Sequence, residues 1–160
     1  MRRRSPVKKI IITLLILSLL AAGGYFVYRM ISSSGNGFAV YINEYMSVNE
    51  STIADEDGEY SDWIEIYNGS KEVINLEGYC LSDDENTPDK WKFPAISIEP
   101  DSYLLIFASG KNKTDPAGKY LHTNFGIDLK GGETILFTNP AGEVVDKIKT
   151  VELPADVSYG

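Results

Sequence analysis

Few groups in this chain could carry covalent chemistry, and their spacing limits a catalytic reading. A nucleophile needs a base beside it and a group that orients the base. His122 is the single histidine in 160 residues. Ser109 or Ser82 with an aspartate would complete a triad on paper, but no spacing links them. No catalytic residue is therefore predicted, and His122 reads as a hydrogen-bonded structural side chain ahead of Thr123-Asn124-Phe125. Cys80 is the single cysteine, so no intrachain disulfide can form. Its place between Tyr79 and Leu81 predicts a buried, inert thiol. One histidine and one distant cysteine do not make a zinc site.

The acidic run Asp55-Glu56-Asp57-Gly58-Glu59 resembles the opening of a calcium loop. The EF-hand pattern then needs a bidentate glutamate at its twelfth position, which is Ile66, so that reading fails. A looser site shared with Asp83, Asp84 and Glu85 stays open beside the plainer reading, a solvated acidic loop. No metal and no cofactor are expected. Asn49-Glu50-Ser51, Asn68-Gly69-Ser70 and Asn112-Lys113-Thr114 match the glycosylation triplet, and all three read as turns.

These groups must be positioned by strands, because the apolar residues repeat with a period of two. In residues 62–68, Ile64 and Ile66 point one way and Trp63, Glu65 and Tyr67 the other. Val73, Ile74, Leu76, Tyr79 and Leu81 continue the apolar set, with Gly78 suggesting a bulge or a close backbone approach. A first strand is expected over 38–45, with Phe38, Val40 and Ile42 on one face. Trp91 to Phe93 forms a short strand closed by Pro94. Residues 103–108 are uniformly apolar, including Leu104, Ile106 and Phe107. That predicts a central strand covered on both faces, or a face kept for a partner. Phe125, Ile127 and Leu129 alternate towards a turn at 130–133. Ile135 and Phe137, then Val145, flank an Asn139-Pro140-Ala141-Gly142 hairpin turn. The predicted core is Trp63, Ile64, Ile66, Leu76, Tyr79, Leu81, Trp91, Phe93, Leu104, Ile106, Phe107, Phe125, Ile135, Phe137 and Val145. Eight or nine short strands without helical period predict an all-β sandwich over 38–153.

The first thirty residues differ in kind. They hold Arg2, Arg3, Arg4, Lys8, Lys9 and Arg29 and no acid. Residues 10–28 carry no charge and would make a helix of ~28 Å, close to the bilayer core. We read 1–9 as a basic cytoplasmic tail and 10–30 as a retained transmembrane anchor. The competing reading is a cleaved signal peptide, with Ala21-Ala22-Gly23 as its site. The excess of basic residues ahead of the span puts the N-terminus in the cytoplasm and the domain outside the plasma membrane. Residues 31–37 read as a flexible linker. Beyond residue 30, nine of the 15 basic residues remain against all 23 acidic ones, a net charge of −14. Such a surface repels phosphate backbones, so nucleic acid is not an expected partner.

A family resemblance adds to this reading. Ser61-Asp62-Trp63-Ile64-Glu65-Ile66-Tyr67-Asn68, Leu76-Glu77-Gly78-Tyr79-Cys80-Leu81-Ser82-Asp83-Asp84 and Trp91-Lys92-Phe93-Pro94 resemble the lamin-tail domain in its bacterial form. So do Ile98-Glu99-Pro100 leading into Tyr103 to Gly110, His122-Thr123-Asn124-Phe125, and Asn139 to Asp146. The resemblance covers roughly residues 40–148. It implies an immunoglobulin-like β-sandwich and a non-enzymatic module. One departure is Asp101-Ser102 after Pro100, where the family shows glycine; it should alter a turn and leave the fold intact. Bacterial members are found joined to hydrolases and to CotH-family kinases. Two functions are thus expected. The first is a membrane-anchored binding or tethering module for a protein or cell-envelope partner, basic or docking on the apolar 103–108 edge. The second is the accessory front end of an enzyme beyond Gly160, with 154–160 a loop or the start of a linker.

Overall fold

The computed structural model describes residues 39–160, which contain ten strands and no helix. The expected anchor over 10–30, its flanks and Phe38 lie outside the described residues. The strands are β1 Val40–Met46, β2 Trp63–Asn68, β3 Ile74–Asn75, β4 Cys80–Ser82 and β5 Trp91–Lys92. They continue as β6 Ser97–Ile98, β7 Ser102–Phe107, β8 Leu121–His122, β9 Gly131–Thr138 and β10 Val144–Val151. One sheet runs β1-β2-β7-β8, the second β10-β9-β4-β5, and β3 pairs with β6 alone. Both four-stranded sheets are open, and their inner faces enclose the core.

The period-two pattern explains the packing. Ile64 and Ile66 of β2 and Ile106 of β7 point inward and are wholly buried. Across the core they meet Leu81 of β4 and Ile135 and Phe137 of β9, with Trp91, Phe93, Leu76 and Phe125 closing the ends. Each such burial contributes about 1.5–3 kcal/mol. Of the predicted core, Tyr79, Leu104 and Val145 are only partly buried and pack against its margin. Trp63 and Phe107 are buried, but with Met46 in a second cluster on the outer face of the first sheet. Tyr45 is buried beside the main core, and its hydroxyl accepts from Val151 N–H at 2.8 Å.

Three local expectations need correcting. Phe125, Ile127 and Leu129 form no strand; the first two are buried and Leu129 is 59% exposed. The segment is held instead by side chains, with Thr123 Oγ1 donating to Phe125 C=O at 2.6 Å and Asp62 accepting from Ile127 N–H. Gly78 makes no bulge. Tyr79 N–H donates to Leu76 C=O at 2.9 Å, so Gly78, at φ +81°, is the third residue of a turn that requires positive φ. The uniformly apolar β7 is covered on both faces only at its C-terminal half, and Tyr103 is 57% exposed.

Residues 152–160 are irregular and fold back onto the first sheet. Asp156 accepts from the amides of Glu50 and Ser51 at 2.8 and 2.9 Å. Tyr159 and Tyr45 exchange two main-chain hydrogen bonds of 2.9 Å.

Candidate functional site

Two loops at one end of the first sheet bring the chain's chemical groups together. Residues 49–60 form a tight acidic loop. Asn49 anchors it, donating to Ile53 C=O and Ser61 C=O at 2.8 Å. Asp55 Oδ1 accepts from the amides of Asp57 and Glu59, both at 2.9 Å. The second loop lies alongside β8, where His122 N–H donates to Lys113 C=O and Asn112 N–H to Thr123 C=O, each at 2.9 Å. Lys111 and Lys113, two residues apart, both direct their ammonium groups at the acidic loop. Lys111 Nζ contacts Asp55, Asp57 at 2.8 Å and Glu59 at 2.9 Å. Lys113 Nζ contacts Glu56 and Asp57, both at 2.6 Å.

His122 lies beneath this network, wholly buried, its ring stacked on Phe107. Nδ1 is 2.8 Å from Ser109 Oγ, and Nε2 is 3.1 Å from Glu56 Oε2. The structure thus links Ser109, His122 and an acid, which the sequence spacing does not. With Nε2–H donating to Glu56, Nδ1 accepts the Ser109 hydroxyl proton.

The electrostatics point to a fastening rather than a reaction centre. The Lys113 ammonium holds Glu56 down to about 2, with His122 adding to it. Lys111, then Lys113, hold Asp57 down to about 2. Burial pushes Asp55 up, but the Lys111 hydrogen bond and the loop amides outweigh it and leave its pKa lowered. Burial disfavours the Lys111 charge, and its bonds to three carboxylates outweigh that and raise its pKa. Ser109 Oγ also accepts from Lys111 N–H at 3.3 Å and lies against the buried His122 ring.

Asp55, Glu56 and His122 place one ligand atom each within 4.8 Å of one another, a metal-like spacing. Their carboxylates are already bound to lysine ammonium groups, which neutralise the donor set without a metal. The looser calcium arrangement does not assemble. Asp83 pairs with Lys90 at 2.5 Å and Asp84 accepts from Asn86, partners unrelated to the 49–60 loop. Cys80 is buried against Gly78 C=O, and burial pushes its thiol pKa up. Ser82 donates to Asp84 C=O at 3.0 Å, away from His122. Asn49 and Asn68 are buried, with their side-chain amides donating within the protein, and Asn112 sits at φ +53°.

The outer face of the first sheet has a covered and an open end. Met46, Trp63 and Phe107 lie beneath Ile53 and Tyr120, which belong to the two loops. At the other end Tyr41, Tyr67 and Tyr103 stand in one row across three strands. Their ring centroids are 5.5 and 4.6 Å apart. Asp101, at φ +53°, holds the turn beside this row in the left-handed conformation that glycine adopts freely. Its carboxylate accepts from Lys71 at 2.6 Å.

Comparison with known proteins agrees with this architecture. The lamin tail domain family model matches residues 33–152. No curated protein matches the chain. With an immunoglobulin-like, all-β sandwich and a match over most of its length, the chain belongs to the lamin tail domain family, whose domains are non-catalytic.

Proposed function

We propose that the protein is a membrane-anchored, extracytoplasmic binding or tethering module without catalytic activity of its own. The observation that carries this reading is the state of the Ser109–His122–Glu56 line. It is the one arrangement among the described residues that resembles catalytic machinery, and every member is committed to fastening one loop onto another. Family membership supports the same conclusion. The uncharged 10–28 run with five basic residues ahead of it supports a retained plasma-membrane anchor, single-pass, with the N-terminus cytoplasmic. The net charge of −14 beyond residue 30 favours a basic protein or cell-envelope partner over nucleic acid.

Protease added to intact cells expressing the full chain tests the placement. Loss of the domain with retention of a short membrane fragment is expected. Full protection, or a soluble product starting near Gly24, overturns the anchored reading.

A further inference from the structure

The first sheet ends on a strand that is barely there. β8 covers only the C-terminal part of β7, pairing Ile106 with Leu121 and Phe107 with His122. Along the other side, β7 pairs with β2 from Ser102 to Phe107. Ala108 N–H donates to Asp62 C=O at 2.7 Å, continuing that register. Main-chain groups alternate sides along a strand, so Ile106, Leu104 and Ser102 also face β2, and Tyr103, Leu105 and Phe107 face the β8 edge. Thr123 N–H donating to Phe107 C=O at 2.8 Å agrees with this direction. In the parallel pairing the Leu105 carbonyl accepts from Leu121 N–H. Among the described residues, that leaves Tyr103 N–H, Tyr103 C=O and Leu105 N–H as the unpaired groups of this edge.

A notch of about 180 Å³ lies against the same groups. Ile96, Tyr103, Leu104, Leu105, Tyr120 and Leu121 line it, and the 116–119 turn forms its rim. An apolar cavity of about 150 Å³ is large enough for benzene, so this one has room for a leucine or phenylalanine side chain.

The geometry points to this edge as a docking site for an extended polypeptide segment, added as a strand beside Tyr103–Leu105 with one bulky apolar side chain in the notch. Two donors and an acceptor at strand spacing are met by the peptide groups of another strand; a lipid or a glycan presents no such repeat. The net −14 beyond residue 30 favours a segment that carries lysine or arginine, while Lys119 on the notch rim keeps those charges away from the inserted apolar side chain. The inference rests on the binding-module reading and names its partner class.

The test uses the ¹⁵N-labelled full chain in nanodiscs and an acetylated heptapeptide alternating lysine with valine and leucine. A second peptide carries N-methyl groups on its pairing edge, which keeps its charge and side chains and removes the main-chain donors. Saturable binding that slows hydrogen exchange at Tyr103 and Leu105 is expected, with at least about tenfold weaker binding of the methylated peptide. Equal binding of both peptides overturns the inference, as does no binding. Shifts confined to Tyr41 and Tyr67 sink the edge site but leave a binding module. Protection of the two amides before peptide is added, in dilute protein, means the chain's own residues cover the edge. Protection that rises with protein concentration means a second copy does; either result also overturns the proposal. The protease experiment on cells stands apart from all of these outcomes.

Discussion

Replacing Asp62 by asparagine is expected to stabilise the protein at neutral pH and to flatten part of its pH profile. Asp62 lies directly ahead of β2, half-buried, and accepts from Ile127 N–H at 3.4 Å. Burial pushes its pKa up from 3.8 to about 6 against the hydrogen bonds from Ile127 and Asn49, and the Glu133 charge adds to the rise. That rise is worth about 3 kcal/mol at 1.36 kcal/mol per pKa unit. Solvent reaches the carboxyl, so screening brings it to about 1–2 kcal/mol. The folded state binds this proton more tightly than the unfolded chain. Its contribution is therefore complete below about pH 3.8, declines as pH rises to about 6, and is absent above. Asparagine keeps the acceptor oxygen and cannot ionise. The difference between Asp62→Asn and the parent should be near zero below pH 4 and reach about 1–2 kcal/mol above pH 6.5. Glu56 and Asp57 act in the opposite sense, losing stability as pH falls towards 2, but they are common to both proteins and cancel. Urea unfolding from pH 3.5 to 8 measures the difference. A constant difference across that range, or a less stable variant at pH 7, would refute the reasoning.

Other perturbations probe different parts of the molecule. Lys111→Met leaves the buried Asp55 carboxylate without its cation and should cost about 3 kcal/mol in urea unfolding, whereas the more exposed Lys113→Met should cost clearly less. Trp63→Ala and Trp91→Ala each remove a side chain at most 4% exposed and should cost about 3–5 kcal/mol; a melting temperature within a degree or two of the parent would contradict that packing. Asp101→Gly relieves a positive φ but loses an exposed ion pair with Lys71, so calorimetry should show a melting temperature equal to the parent's or slightly above it. The domain should not shift duplex or single-stranded DNA at low salt, where charge-driven binding is strongest. Salt-sensitive micromolar binding would return nucleic acid to the partners.

β1 and β2 were legible because their inward apolar residues recur at every second position. Ile64 and Ile66 announce β2, and Asn139-Pro140-Ala141-Gly142 announces the turn between β9 and β10. Among the two-residue strands, Trp91 to Phe93 announced β5, while β6 and β8 were not legible, because a period of two needs more than two residues to show itself. Tyr45 escaped the core prediction although it stands in the first strand. A bulge between Ile42 and Glu44 shifts its register, which breaks the simple alternation. The Ser109–His122–Glu56 line was invisible for another reason. Glu56 precedes Ser109 by 53 positions, and only folding of the first sheet brings their loops together. One signal was present: five consecutive residues with four acids, and two lysines spaced so that both point the same way. Read as separate charge runs they look solvated; read as a pair they are complementary.

The return of residues 156–159 onto β1 decides how the domain would respond to mechanical tension. Consider a chain held at residue 39 and pulled at residue 160. Load first reaches the Tyr45–Tyr159 bridge and the Asp156 contacts, which are few, so they release before the sandwich deforms. The force then passes to the C-terminal end of β10, while β1 is held at its opposite end. Ile42 N–H bonded to Asp146 and Tyr45 bonded to Val151 show that these two strands run side by side in one direction. Pulling them from opposite ends strains their contacts and the six-residue β1–β2 ladder together, in shear, rather than one bond at a time. A molecule built this way would yield in two steps, a soft one that lengthens the chain by the folded-back tail and a stiff one that costs it the fold.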